Sequence, residues 1–232
     1  MRNINFKQSL YEFINDDKIA IKTIRDLEKY YEIIIFGGAV RDYLFSDVQF
    51  SPRDIDIVLS PKKEYICIDK VLRNNYGDEN LYKNRFGGYK LKNKFIQFDI
   101  WYLKDTWAFK EKILDTNINN LLSSVFLNID AYAYNLTTEL FIDNCNENID
   151  IEEIDIVLDE NPSVELNLLR AMVYYEKYNL DISNTIRNKF RKYFKQEYKF
   201  INQLYKLQLQ HYKEQIFDKN ILKSKINYLI NN

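Results

Sequence analysis

Glu32-Ile-Ile-Ile-Phe-Gly-Gly-Ala-Val-Arg-Asp-Tyr-Leu-Phe45, followed after a polar interval by Asp54-Ile-Asp-Ile-Val-Leu59, is the stretch on which the chain is organised. The unbroken apolar run from Ile33 to Phe36 reads as a buried strand. Gly37 and Gly38 follow as a turn, Ala39 to Phe45 has helical character, and Asp54-Ile55-Asp56 opens a second strand. Side chains alternate faces along a strand, so Asp54 and Asp56 point the same way, about 7 Å apart. Two carboxylates on one face suit a hard, oxygen-seeking cation such as Mg²⁺. Glycines just before a helix let backbone N–H groups approach a phosphate. The two features together describe a site for a metal-bound nucleoside triphosphate. A tight strand-to-helix turn with two solvated aspartates is the plainer reading of the same residues.

Gly37-Gly38-Ala39-Val40-Arg41-Asp42 followed by Asp54-Ile55-Asp56 resembles the head domain of the polymerase β-type nucleotidyltransferases. The resemblance is to the class II group, the CCA-adding enzymes and bacterial poly(A) polymerases, with their Gly-Gly-x-Val-Arg-Asp and Asp-x-Asp. It implies an α+β fold: a head with a small mixed β-sheet flanked by helices over residues 1–150, then an all-helical part over 151–232. It also implies Mg²⁺ or Mn²⁺ as cofactor and an NTP as substrate. Asp54 and Asp56 would hold the metals and carry catalysis, while the backbone at Gly37 and Gly38, with Arg41, would meet the β- and γ-phosphates. Asp42 reads equally as part of that site or as structural, pairing with Arg41 or capping the short helix.

The rest of the head follows the same resemblance. Residues 6–30 carry apolar side chains at helical spacing and read as one or two helices. The loop 46–53 contains Pro52 and ends on Arg53, which would either reach a phosphate or pair with a carboxylate. Lys63 to Asn74 read as a helix. Arg85-Phe86-Gly87-Gly88-Tyr89-Lys90-Leu91, a polar turn at 92–94, and Phe95 to Trp101 read as a β-hairpin. That hairpin is similar to the family's Phe-Gly-Thr element and the strand after it, which makes Asp99 the third carboxylate of a two-metal cluster. An edge-strand acid paired with Lys or Arg is the alternative. Thr106 is placed to cap a helix, and Trp107 fits either the core or a base stack.

Ala131-Tyr132-Ala133-Tyr134 and Ile142-Asp143 match a second family stretch, but its Arg-Arg-Asp falls on Ser124, Val125 and Phe126, and its Asn on Asp130. Asp130 is the candidate for the sugar hydroxyls, with a structural turn role close beside it. Leu168-Leu169-Arg170-Ala171 resembles the family's neck helix, with Arg170 facing the nucleotide or tying the neck to the head. The family's base-reading template falls on Ser163, Val164 and Asn167, so it is absent or rebuilt. Beyond 173 only helices are expected, three of them, ending near Asn231.

Composition frames these motifs. Among 232 residues, 46% are hydrophobic and 29% charged, with five Gly and three Pro, a balance typical of a globular protein without low-complexity linkers. No apolar run is long enough to span a membrane, and the first residues lack a signal-peptide core, so a cytoplasmic protein with no membrane partner is expected. Cys67 and Cys145 form no metal or redox motif. Residues 181–232 hold eleven Lys and Arg against four Asp and Glu, a net of +7; the whole chain is −1, which leaves −8 on residues 1–180. A basic tail on an acidic body points to RNA or a polyphosphate, or to a solvated helical face. Phe190, Tyr193, Phe194, Tyr198, Phe200 and Tyr205 recur there at helical spacing and are expected mostly in the core.

The function expected is metal-dependent transfer of NMP from an NTP to an acceptor hydroxyl, the acceptor being RNA such as a tRNA 3′ end. Two other readings stand beside it: a standalone transferase that modifies a small molecule or a protein hydroxyl, and a catalytically inactive nucleotide- or RNA-binding relative.

Overall fold

The computed structural model describes residues 5–45, 50–64, 66–77, 81–84, 87–92, 96–142 and 151–231. The chain divides into two compact units, one of Met1–Ser124 with Asp130–Ile149, the other of Val125–Ile129 with Asp150–Asn232.

The first unit opens with two helices that the sequence caps. Asn5 accepts from the Gln8 backbone at the start of α1 (Phe6–Phe13), and Asp17 from Ile19 and Ala20 at the start of α2 (Lys18–Glu28). Then come β1 (Tyr31–Phe36), α3 (Gly38–Phe45), β2 (Ile55–Pro61) and α4 (Ile68–Tyr76). The hairpin strands β3 (Leu81–Lys83) and β4 (Tyr89–Lys92) lead to β5 (Gln97–Tyr102), then α5 (Trp107–Lys110), α6 (Ile118–Leu122), β6 (Ala133–Asn135) and β7 (Leu140–Ile142). Among the described residues these strands form one mixed sheet in the order β3-β4-β5-β2-β1-β6-β7. β1 runs antiparallel to β2 and to β6, while β2 and β5 are parallel. An interior position explains the run Ile33–Phe36: all four side chains are buried, so the strand has no polar face. Phe6 of α1 packs against Tyr43, Phe50, Tyr134 and Phe141, which ties that helix to α3 and to β6 and β7.

Three local expectations shift. The helix expected from Lys63 begins at Ile68, because Lys62 is still bonded to Tyr30 beside β1 and the Ile68 amide is capped by the Tyr102 hydroxyl. Asp54 lies just before β2 rather than inside it. Asp99 is on the strand beside Asp56, as expected; of the alternative reading, the partner Lys90 is present but the edge is not, because the strand is interior between β4 and β2. Thr106 caps nothing with its side chain; its hydroxyl accepts the Trp101 indole N–H at 3.1 Å. Trp107 is half-buried and donates to the Ser124 carbonyl. Residues 85–86, the turn at 93–95, Asp143 and Cys145 lie outside the described residues, as does 46–49 of the loop before Asp54.

The second unit is built on α7 (Val164–Tyr178), α8 (Asn184–Phe194), α9 (Glu197–His211) and α10 (Lys219–Asn231). It is not all helical beyond 173: Asp181–Ile182 pairs in parallel with Glu153–Ile154. Residues 125–129 belong here through backbone bonds, Val157 to Phe126 at 2.8 Å and Leu158 to Val125 at 3.1 Å, with a bridge between Leu127 and Ile156. Two buried polar side chains hold this unit's loops and ends. Arg187 donates to the carbonyls of Ile182 and Leu229, and Gln208 meets the Ile216 and Phe217 amides and the Phe217 carbonyl. Of the six aromatics expected mostly in the core, Phe190 and Phe200 are fully buried, Tyr193, Phe194 and Tyr205 are half-buried, and Tyr198 is 85% exposed.

Candidate active site

The glycine turn and the second strand meet. Gly37 has φ +66°, the left-handed region in which an L side chain is strained, and its amide donates to the Tyr132 carbonyl at 2.8 Å. A Cβ built on Gly37 would stand 3.9 Å from Asp56 Oδ2, so the turn lies against that carboxylate. Gly38 opens α3, and the Arg41 amide closes its first turn on the Gly37 carbonyl.

The strand register places the acids. In the parallel pair, Asp56 lies opposite Asp99, and in the antiparallel pair beyond it Asp99 lies opposite Lys90, which in turn lies opposite Tyr82. Directly opposed residues share a face. One row of that face therefore reads Tyr82, Lys90, Asp99, Asp56, while Ile55, Ile57, Phe98, Ile100, Tyr89 and Leu91 bury the other face. Asp99 Oδ2 accepts a salt bridge from Lys90 Nζ at 3.3 Å, and Asp99 Oδ1 is buried without a hydrogen-bond partner. Burial pushes the Asp99 carboxyl above the usual carboxylate range, and the Asp54 charge adds to this; Lys90 and Arg53 pull it back.

Arg53 takes the second of its two expected roles: its Nε and Nη2 both donate to Asp54 Oδ2, at 3.1 and 2.8 Å. Arg41 and Asp130, expected separately at the phosphates and at the sugar hydroxyls, are joined to each other. Arg41 Nη1 meets Asp130 Oδ1 at 2.5 Å, and its Nε and Nη2 meet Asp42 Oδ1. Arg41 and Asp130 are 7% and 5% exposed, and opposite charges so enclosed are stable only as partners. Asp42 thus has the structural role. In the second unit, Arg170 is held along its own helix by the Tyr174 hydroxyl and by Asn167 Oδ1, and Asn167 is buried against Asn161.

Among the described residues no three of His, Cys, Asp and Glu converge to cage an ion unaided. The donor set nonetheless fits Mg²⁺ or Mn²⁺. Such ions are commonly held by one or two carboxylates and completed by water and substrate phosphates, and Asp56 and Asp99 offer two carboxylates with one oxygen left unpartnered. Lys90 is the member of the site that sequence reading passed over. The strict alternation Tyr89-Lys90-Leu91-Lys92 gives its face, but only the register between β4 and β5 sets it opposite Asp99.

No family model matches the sequence, and no curated protein matches it. Solved structures do match in fold. A CCA-adding enzyme in complex with CTP superposes with a TM-score of 0.64 at 17% identity, over 99% of this chain and 56% of that one. A CCA-adding enzyme in complex with ATP gives 0.62 at 16% identity, over 97% and 55%. A tRNA nucleotidyltransferase complexed with a primer tRNA and an incoming ATP analogue gives 0.57 at 20% identity, over 90% and 60%. The chain therefore has the α+β fold of a nucleotidyltransferase head followed by helices, and it spans just over half the length of the structures it resembles.

Proposed function

We propose that this chain is a metal-dependent nucleotidyltransferase that moves NMP from an NTP to an acceptor hydroxyl, with an RNA 3′ end as the acceptor. The observation that carries this reading is the juxtaposition of Asp56 with Asp99 on neighbouring strands and with the left-handed Gly37 turn, where an added Cβ would stand 3.9 Å from the Asp56 carboxylate. A phosphate-accommodating turn and a two-carboxylate face occur at one place in one fold.

The acceptor oxygen attacks the α-phosphorus, its new P–O bond forms as the bond to the β-phosphate oxygen breaks, and pyrophosphate leaves. Asp56 and Asp99, with Asp54 beside them, are the residues that would hold Mg²⁺ or Mn²⁺. The bound ion supplies neutralisation of the charge that builds on the transferring phosphoryl group. Asp99, whose buried Oδ1 has no hydrogen-bond partner, is the aspartate best placed to help deprotonate the acceptor. The Gly37 amide is spent on the Tyr132 carbonyl, so phosphate oxygens are received at the Gly38 end of the turn, where α3 begins. Arg41 acts from behind: bound to Asp42 and Asp130, it fixes the start of α3 and so the shape of the turn.

RNA is favoured as acceptor by the second unit. Lys192, Lys195 and Lys199 line one depression with Tyr193 and Glu165, and Lys199 and Lys206 line a second that adjoins it at Lys199, with the exposed Tyr198. A second reading, a nucleotide- or RNA-binding relative without turnover, has one observation in its favour: Arg53 and Lys90 already neutralise Asp54 and Asp99.

The test is incubation with each α-labelled NTP, Mg²⁺ or Mn²⁺, total tRNA and a cell lysate. Label in RNA is the expected result. Label in a protein or small-molecule fraction instead overturns the acceptor assignment, and nucleotide binding without any transfer supports the inactive reading.

A further inference from the structure

Lys90 stands where the site's chemistry calls for a different cation. Its ammonium lies 3.3 Å from Asp99 Oδ2, in the same register row as Asp56, while the neighbouring Asp99 Oδ1 is enclosed with no donor. A buried carboxylate oxygen without a partner is a cost that the fold carries until something binds it. Tyr89 and Leu91 are buried on either side and anchor β4, but the Lys90 side chain is 47% exposed on a flexible stem. It can therefore swing into solvent without disturbing the core.

We propose that Lys90 is a placeholder cation: it neutralises Asp99 in the resting protein, is displaced when a divalent ion takes that carboxylate, and so makes metal loading depend on nucleotide. This rests on reading Asp56 and Asp99 as the metal-holding pair. A divalent ion must compete with a tethered charge, so alone it binds weakly. A nucleoside triphosphate shifts the competition twice. Its oxygens complete the ion's coordination shell, and its surplus negative charge gives the released ammonium a new partner. Metal and nucleotide then bind synergistically, each raising the affinity for the other by the same factor.

The measurement is Mn²⁺ binding to the full chain, by electron paramagnetic resonance of free Mn²⁺, with and without a non-hydrolysable NTP analogue. Lys90→Met keeps the stem and removes the charge. It should raise nucleotide-free Mn²⁺ affinity roughly two- to fivefold, the size expected for one partly exposed ion pair, and should shrink the gain that nucleotide brings. Lys90→Arg should stay near wild type. Unchanged or weaker Mn²⁺ binding by a folded Lys90→Met protein overturns the inference; if that variant does not fold, Lys90→Gln is read in its place by the same criterion. The two proposals fail differently. Wild type that binds Mn²⁺ and transfers nucleotide, with Lys90→Met unchanged in Mn²⁺ affinity, removes only the placeholder. Absence of Mn²⁺ binding in every protein, even with nucleotide, removes the metal site as well.

Discussion

Asp56 is the residue on which the most converges: a strand position opposite Asp99, and a carboxylate oxygen against Gly37. Asp56→Asn keeps the shape and removes the charge, so it should abolish transfer while circular dichroism and the melting temperature stay near wild type; Asp54→Asn should do the same. Turnover near wild type in either would remove that residue from the catalytic set. Arg41 predicts the opposite pattern. Replacing it with Met takes the guanidinium away from the buried Asp130 carboxylate, which should cost about 3–5 kcal/mol in urea unfolding. At this scale type and spacing name Asp54 and Asp56 as candidates, and the structure sets Asp56 on β2 opposite Asp99 with Asp54 just before the strand. The partners were not. Nothing in the local sequence says that Arg41 will find Asp130, eighty-nine residues away, or that Lys90 will face Asp99. Those pairings exist only once the strands are in register.

Joints between elements make separate predictions. Asp26 on α2 holds Lys22 and Lys29 and accepts from Asn75 of α4. Hydrogen bonds from Lys29 first, and then Lys22, draw its carboxyl down to about 2. The folded value lies below the ordinary one, so the stabilisation is complete above the unfolded value near 3.8 and is lost as pH falls towards 2. Asp26→Asn should therefore cost no more than about 1 kcal/mol at pH 7, because the group is partly exposed, and the cost should fade as pH drops through about 2. Gln208 is the firmer joint. Gln208→Leu strands two amides and a carbonyl of the segment before α10, and should cost about 2–3 kcal/mol in urea unfolding. Element type was readable in β1 from its unbroken apolar run and in α1 and α2 from helical periodicity. It was not where a distant group decides the boundary. The Tyr102 hydroxyl sets the start of α4, and Asp181–Ile182 becomes a strand only because Glu153–Ile154 lies beside it.

Over the whole molecule, charge is divided as the sequence implies, but the basic residues do different jobs. Arg187 and Arg191 hold the last carbonyls of α10, whereas Lys192, Lys195, Lys199 and Lys206 border the α8–α9 surface. Retention of single-stranded RNA should fall with salt at a log–log slope of about −3, the value for some four phosphate contacts. The double change Lys199→Gln with Lys206→Gln should flatten that slope by roughly one. A slope near zero, or an unchanged slope in the variant, would take RNA off this surface. Among the described residues no helix is long and apolar enough to cross a membrane.

The chain path has a consequence of another kind. The five residues Val125–Ile129 leave the first unit's sequence, give the second unit backbone bonds to Val157 and Leu158, and return before Asp130. The two units are thus interleaved in the gene as well as in the chain. Recombination that lifted out the first unit as one cassette would carry off a strand-like piece of its neighbour and leave that neighbour's backbone groups unpaired. Inheritance of the pair together is the arrangement this path protects, and a designer wishing to graft either part onto another protein must first rebuild that five-residue excursion.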